Sequence, residues 1–424
     1  MTKSALHIAI VDGDLSYPAT SGKRLRTLNL MLALSERHHI TYIARSRGDA
    51  SEQRMAEEFL RDHKINPLIV PDPVARKQGP LFYGRLALNL ASKLPYSVAS
   101  HQSRVITDAV TRHAASYPAD VWQFEWSPYV QSLPPRFDVP RVLVAHNVDS
   151  LLWRRYWSAE RNPLKRLYIR QQWKKFERYE RHIFTRVNRV VACSQEDANL
   201  IAGNLGMTCV DVVENGIDRQ RYEHSSGRRE PSNILFLGSL DWRPNIDALT
   251  VLCTEIFPKV IARQPQARLV VVGRQPSVNL VRWLRQFPFV ELHADVPDTL
   301  PYLVSCGVLA VPLRIAGGTR LKILEAAAAG LPVVSSTIGA EGLELVPDRH
   351  LAIADAPDQF AAAIVRSIES PSSALAMSAA ARQVALERYD WASLADKLER
   401  TWRHCVSRPI PAHQKQHSRK LQRT

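Results

Sequence analysis

Residues 317–325, GGTRLKILE, bring two glycines, a hydroxyl, two cations and an acid into one short stretch. That composition suits the binding of a phosphorylated ligand. An apolar run, Val308–Val311, precedes it and reads as a buried strand, and Gly317 and Gly318 allow a sharp turn with φ > 0. Thr319 then stands at the N-cap of a helix that runs through Arg320, Lys322, Glu325 and four alanines until Gly330 and Pro332 stop it. Free amides at such a helix start attract anions, and Arg320 and Lys322 add charge at the same place. Glu325 follows Lys322 on the same face, one turn beyond the proposed phosphates and at the reach of a ribose. A simple ion pair between these two side chains would be worth only about 0.2–0.5 kcal/mol.

A helix start of this kind needs a parallel sheet behind it. His7–Val11 is a strand, followed by a Gly22-containing loop, a helix over Lys23–Arg37 and a strand at His39–Ala44. The alternation continues to an apolar strand at Val142–Ala145 that ends on His146, and strand ends carry ligands in open α/β sheets. It resumes after Asn215-Gly216 with a strand at Ile234–Leu237, a helix at Asn245–Arg263 and a strand at Arg268–Val272. The fold class is α/β, with two Rossmann-like, doubly wound parallel-sheet domains. We place them at residues 1–205 and 206–389, with a helix at 390–407 returning to the first domain and a basic tail at 408–424.

Better-known nucleotide motifs fail on spacing. A dinucleotide fingerprint needs G-x-G-x-x-G, and no glycine lies between Gly13 and Gly22. A P-loop needs glycine where Tyr17 stands and a hydroxyl where Arg24 stands. Asp12-Gly13-Asp14 spells a metal-binding D-x-D, but its place at a strand end favours a turn or capping role.

The formal charge of +15 over 424 residues calls for an anionic partner. Residues 151–190 hold 12 Lys/Arg against 3 Glu, nine of those fifteen net charges, in a segment rich in Trp and Tyr. A long helix over Leu164–Arg186 is therefore expected either to lie on an anionic membrane surface or to bury Leu167, Trp173, Phe176 and Ile183 against the core. No nucleic-acid reader motif accompanies it. The start MTKSALHIAIVDG lacks the apolar core of a secretory signal, so the expected location is cytoplasmic, with peripheral attachment to the inner face of the membrane. Five scattered cysteines without a C-x-x-C pair read as buried thiols rather than metal ligands.

Leu324, Glu325, Ala326, Ala328 and Gly330 match an LEA-x-A-x-G helix, and Pro18, Gly22 and Arg24 match a proline, a loop glycine and an arginine after the first strand. With these residues the chain resembles family 4 glycosyltransferases, retaining enzymes of the GT-B fold, in which two Rossmann-like domains face a cleft. The stretch GSLDWRPN resembles a branch associated with exopolysaccharide and cell-surface polysaccharide assembly. The resemblance implies a nucleotide-diphosphate sugar donor, a glycan or lipid-linked acceptor, no metal and no cofactor. It implies a donor contact at Gly22 and a place for His146 beside the transferred sugar.

Three departures stand out. Gly317 replaces the family's first glutamate, and Ser239 and Asn245 replace an arginine and a lysine that contact the donor diphosphate. Arg243, Gly318, Thr319, Arg320 and Lys322 are the candidates to hold the phosphates, with Glu325 on the ribose. The departures keep two alternatives in view, a sugar-nucleotide epimerase or hydrolase on the same fold and a non-catalytic nucleotide-sugar-binding partner in polysaccharide assembly. Turnover of donor without acceptor would mark the first of these.

Overall fold

The computed structural model describes residues 4–75, 79–224 and 227–407; the basic tail at 408–424 lies outside the described residues. Two wholly parallel sheets account for the strands among them. The first contains β1 (His7–Asp12), β2 (His39–Ser46), β3 (Ile65–Pro71), β4 (Val121–Phe124), β5 (Arg141–Ala145), β6 (Arg189–Ala192) and β7 (Val210–Val212), in the order β3-β2-β1-β4-β5-β6-β7. The second contains β8 (Glu230–Leu237), β9 (Arg268–Gly273), β10 (Val290–Ala294), β11 (Cys306–Val311), β12 (Val333–Ser335) and β13 (Ala352–Ile353), in the order β10-β9-β8-β11-β12-β13. Every residue of β4 and β5 is buried, the pattern of central parallel strands covered by helices on both faces.

The chain divides into two compact units, residues 215–393 and the remainder, which joins everything up to Glu214 with the chain from Leu394 onward. The division falls nine residues beyond the expected 205/206 boundary because β7 pairs with β6 and stays in the first sheet. Each unit has its own core, around Val11, Phe124, Leu143 and Phe176 in one and Ile234, Leu309, Leu324 and Phe360 in the other.

Local chemistry explains most helix boundaries and three departures from expectation. The helix Gly22–Ser35 starts where Ser21 accepts from the Arg24 amide, and Asp49 caps Ala50–Asp62 in the same way. The expected continuous helix at Asn245–Arg263 is split into Arg243–Val251 and Phe257–Arg263 by a π-helical turn over Leu252–Ile256. Pro258, which has no amide to continue the ladder, sits in the first turn after it. The helix Asp149–Ala159 has no capping side chain of its own. The helix following Gly318 begins one residue late, at Leu321, with Arg320 rather than Thr319 at the N-cap.

The last helix, Trp391–Ser407, packs into the first unit from Leu394 onward. Trp402 is fully buried and donates its Nε1 hydrogen to Gln123 Oε1 at 2.7 Å. Thr401 donates to Asp211 at 3.0 Å and Lys397 pairs with Glu214 at 2.7 Å. A buried carbonyl left without its donor costs about 1–3 kcal/mol, whereas a half-exposed ion pair contributes less than about 1 kcal/mol. Trp402→Phe is accordingly expected to destabilise the first unit by about 1–3 kcal/mol in urea denaturation, and Lys397→Ala by less than about 1 kcal/mol.

Candidate active site

The second sheet changes direction of winding between β8 and β11, so the loops leaving those two strands flank the crevice where doubly wound sheets bind ligands. Gly238 begins the loop after β8. A Cβ at that position would stand 2.7 Å from Asn245 Nδ2 and 2.8 Å from Lys322 Nζ, so only glycine fits beside the two side chains. Lys322 donates to Asn245 Oδ1 at 3.0 Å, and Asn245 donates to the Ser239 carbonyl at 2.9 Å. The Lys322 ammonium also lies 5.3 Å from the centre of the Phe236 ring. Asn245, which replaces a lysine, thus receives a lysine from the other loop. Arg243 is exposed in the first turn of the helix that carries Asn245.

Of the two glycines only Gly318 takes a left-handed conformation, at φ +63°. The turn buries Thr319, whose hydroxyl has no partner among the described residues, while its carbonyl accepts from Asn215 at 3.1 Å. Arg320 is buried, donates to the Ile338 carbonyl and lies 3.6 Å from Glu341. Burial, reinforced by the charge of Arg320 and partly offset by Glu325, pushes the Lys322 ammonium down to about 7. Burial also raises the Glu325 carboxyl, against the opposing influence of Arg221, of the Tyr222 hydroxyl that donates to it at 3.3 Å, and of Lys322. This half-site combines a buried hydroxyl, a lysine close to its titration point and an acid one turn along.

In the first unit the winding changes between β1 and β4. The loop after β1 is pinned to the helix start: Lys23 pairs with Asp12, and Arg24 pairs with Asp14 at 2.8 Å and Glu52 at 2.9 Å. Asp12 also accepts from the Asp14 amide at 3.2 Å, so the D-x-D acids shape a turn. Gly22 is exposed as the first residue of the helix.

His146 follows β5, and its Nε2 lies 2.9 Å from Glu125 Oε2 at the end of β4. Glu125 further accepts from Thr27 at 2.9 Å and from Gln123 at 2.6 Å. Burial alone would raise the Glu125 carboxyl, but His146, Lys23 and Gln123 hold it at about 2. Burial keeps His146 below its ordinary value despite this partner. The neutral ring therefore donates from Nε2 to the anionic Glu125, and Nδ1 is the edge left to accept.

Sequence reasoning missed the supports of both half-sites. Glu125 bonds His146 and is itself held by Gln123 and Thr27; the polar residues at the end of the buried strand VWQF were the signal for Glu125 and Gln123, and Thr27 had none. A second buried carboxyl pair lies close by. Glu180 accepts from the Asp149 amide at 2.7 Å and the Ser150 amide at 3.3 Å, capping the helix that follows His146, and Asp149 accepts from Trp126 at 2.8 Å. Burial pushes Asp149 up to about 6 and, with Asp149 beside it, Glu180 to about 8.

Two parallel α/β units with loops of this construction define a nucleotide-binding enzyme architecture. A model for Glycosyltransferase Family 4 matches residues 22–221, and one for Glycosyl transferases group 1 matches residues 231–370. The chain belongs to this glycosyltransferase family. It is similar to glycogen synthase of Mycobacterium tuberculosis, 30% identical over 203 residues that cover 45% of this chain and 47% of the relative. It is also similar to GDP-mannose:cellobiosyl-diphosphopolyprenol alpha-mannosyltransferase of Xanthomonas campestris, 31% identical over 91 residues covering 22% and 23%. The chain thus spans about half the length, or less, of these curated relatives. Sucrose-phosphate synthase of Thermosynechococcus elongatus shares the fold, with a TM-score of 0.68 at 18% identity over 95% of this chain and 99% of that one.

An anion seated against Lys322 favours its charged form. Below pH 7 the lysine is already protonated; above pH 7 it is increasingly neutral in the free protein and must gain a proton when a diphosphate binds. Calorimetry of nucleoside diphosphate binding at pH 8, in buffers of different ionisation heat, is expected to show uptake of up to one proton. Lys322→Met should abolish that uptake.

Proposed function

We propose that this protein transfers a sugar from a nucleotide-diphosphate sugar to a lipid-linked or polysaccharide acceptor with retention of configuration. The observation that carries the reading is Lys322, which stands 3.0 Å from Asn245 at the starts of the helices that follow β8 and β11, with Glu325 one turn further along. When the anomeric carbon–oxygen bond breaks, the diphosphate gains negative charge. Lys322, the amides from Gly318 to Arg320 and the Thr319 hydroxyl are the groups we assign to that charge, with Arg243 at the outer edge. One preorganised donor of this kind is worth about 2.7–4 kcal/mol in the transition state. Arg320, bonded to Ile338 and close to Glu341, fixes the turn and adds its field. Glu325 accepts from the ribose hydroxyls.

In the first unit we assign Gly22 to the approach of the donor phosphates and His146 to the transferred sugar. Retention follows if the acceptor oxygen bonds to the anomeric carbon on the face the diphosphate leaves, passing its proton to a phosphate oxygen. Atoms balance without a further reactant, and the proposal includes neither metal nor cofactor. The relative that acts on a diphosphopolyprenol supports a lipid-linked acceptor. The basic segment 151–190 supports work at an anionic membrane surface, and the location that goes with this reading is the cytoplasmic face of that membrane. No helix among the described residues is long and apolar enough to cross a membrane.

The test is release of nucleoside diphosphate from a panel of nucleotide sugars in the presence of membrane extract. Acceptor-dependent release, insensitive to EDTA, is expected. Release without acceptor, or the absence of any release, would sink the reading. Lys322→Ala should raise the donor KM about tenfold or more, and unchanged kinetics would remove the lysine from the site. His146→Ala should lower kcat about a hundredfold while nucleoside diphosphate affinity, read by calorimetry, stays within about twofold.

A further inference from the structure

The helix Pro80–Leu90 is built inside out. Only Asn89 is buried, while Leu81, Tyr83 and Leu88 are 80%, 68% and 79% exposed. A helix of a soluble domain normally turns its leucines inward. Polar contacts impose the reversal. Gln172 donates to Asn89 Oδ1 at 3.1 Å, Lys175 to the Asn89 carbonyl at 2.6 Å and Gln171 to the Leu90 carbonyl at 2.9 Å. All three donors lie on the helix Pro163–Phe184, which therefore clamps the C-terminal end of the short helix.

At the other end Phe82 meets the Tyr96 ring edge-on at 5.8 Å, and the Tyr96 amide donates to Gln172 of the long helix at 2.8 Å, one turn from Tyr168. Leu164 and Leu167, within a turn of Tyr168, are 79% and 65% exposed. The exposed leucines thus belong to two helices that are bonded to each other at Asn89 and Leu90 and joined through Tyr96. The N-terminal half of the long helix is cationic: residues 161–174 contain Arg161, Lys165, Arg166, Arg170 and Lys174 and no acid, with only Lys174 paired to a carboxylate, Glu177, at 2.9 Å among the described residues.

Other apolar residues of the long helix are occupied elsewhere. Phe176 and Ile183 are in the core, and Trp173 packs on Trp157 at 5.4 Å with Lys174 over its ring.

We propose that Leu81, Tyr83, Leu88, Leu164 and Leu167 enter the acyl boundary of an anionic bilayer while the cations of 161–174 meet its headgroups. This rests on the reading that the acceptor is membrane-borne and replaces the aromatic face of the basic helix with the helix Pro80–Leu90 as the contact. Complementary charge selects the occupant, because a second copy of this chain would set five cations against five.

Full-length protein is sedimented with vesicles of phosphatidylcholine alone or mixed with phosphatidylglycerol. Binding at least about tenfold stronger to the anionic vesicles is expected, weakened by salt. L81S/L88S/L164S should lose about tenfold or more of that binding, and R161Q/K165Q/R170Q should lose the preference for phosphatidylglycerol. Thermal stabilisation by nucleoside diphosphates, unchanged in both variants, checks folding and reads the donor site separately. Unchanged vesicle binding by the leucine variant would overturn the inference, as would a wild-type dimer that this variant dissociates. Loss of vesicle binding in the wild type with acceptor-dependent turnover intact would remove the surface but leave the transferase reading standing. Normal vesicle binding without nucleotide stabilisation would do the reverse.

Discussion

The bond from Lys322 to Asn245 ties together the first turns of the helices that follow two adjacent strands, β8 and β11, and the proposed donor half-site depends on it. Holding an ammonium there requires a glycine at 238, an amide at 245 in place of a second cation, and a turn at Gly318 that aims the helix start toward the β8 loop. A lysine at 245 would put two ammonium groups within hydrogen-bond distance, where like charges disfavour each other strongly. One ammonium reached from the opposite side would serve the proposed anion with less repulsion in its absence. Burial, with Arg320 nearby, brings even this single half-buried cation down to about 7, close to losing its proton.

The first unit meets a related constraint with opposite sign. Glu125 is a buried anion at the end of β4, and its stability depends on donors from three directions, Thr27, Gln123 and His146. Gln123 is in turn fixed by Trp402 from the final helix. A residue far along the chain thereby orients the strand end that orients His146. Removing the partners of a buried charge costs more than the pair contributes, so these contacts specify geometry more than they add stability.

Much of this was legible in the sequence wherever the cause was local. The alternation of apolar runs and amphipathic stretches, the turn at Gly318 and the strand ends at Gly238 and His146 follow from residues within a few positions of each other. What escaped has causes distant in sequence. Lys322 and Asn245 are separated by 77 positions and Glu125 and His146 by 21. The helix Asp149–Ala159 was invisible because its N-terminus is capped by Glu180, 31 positions from Asp149, instead of by a neighbouring side chain. The basic helix showed cations and aromatics together, yet Trp157, on a different helix, decides where Trp173 points.

The capping by Glu180 also explains how a buried acid pair is tolerated beside His146. Glu180 accepts two free amides of a helix start, where the peptide dipoles favour negative charge, and Asp149 accepts from Trp126. Neither set of donors fully offsets burial, so both carboxyls are raised. A raised acid binds more protons folded than unfolded, so its contribution to stability is fully present below the ordinary carboxylate range. That contribution declines as pH rises toward about 8. The segment carrying His146 is therefore held in place at the expense of alkaline stability. Such a cost is consistent with the role proposed for His146, which depends on the orientation of its ring.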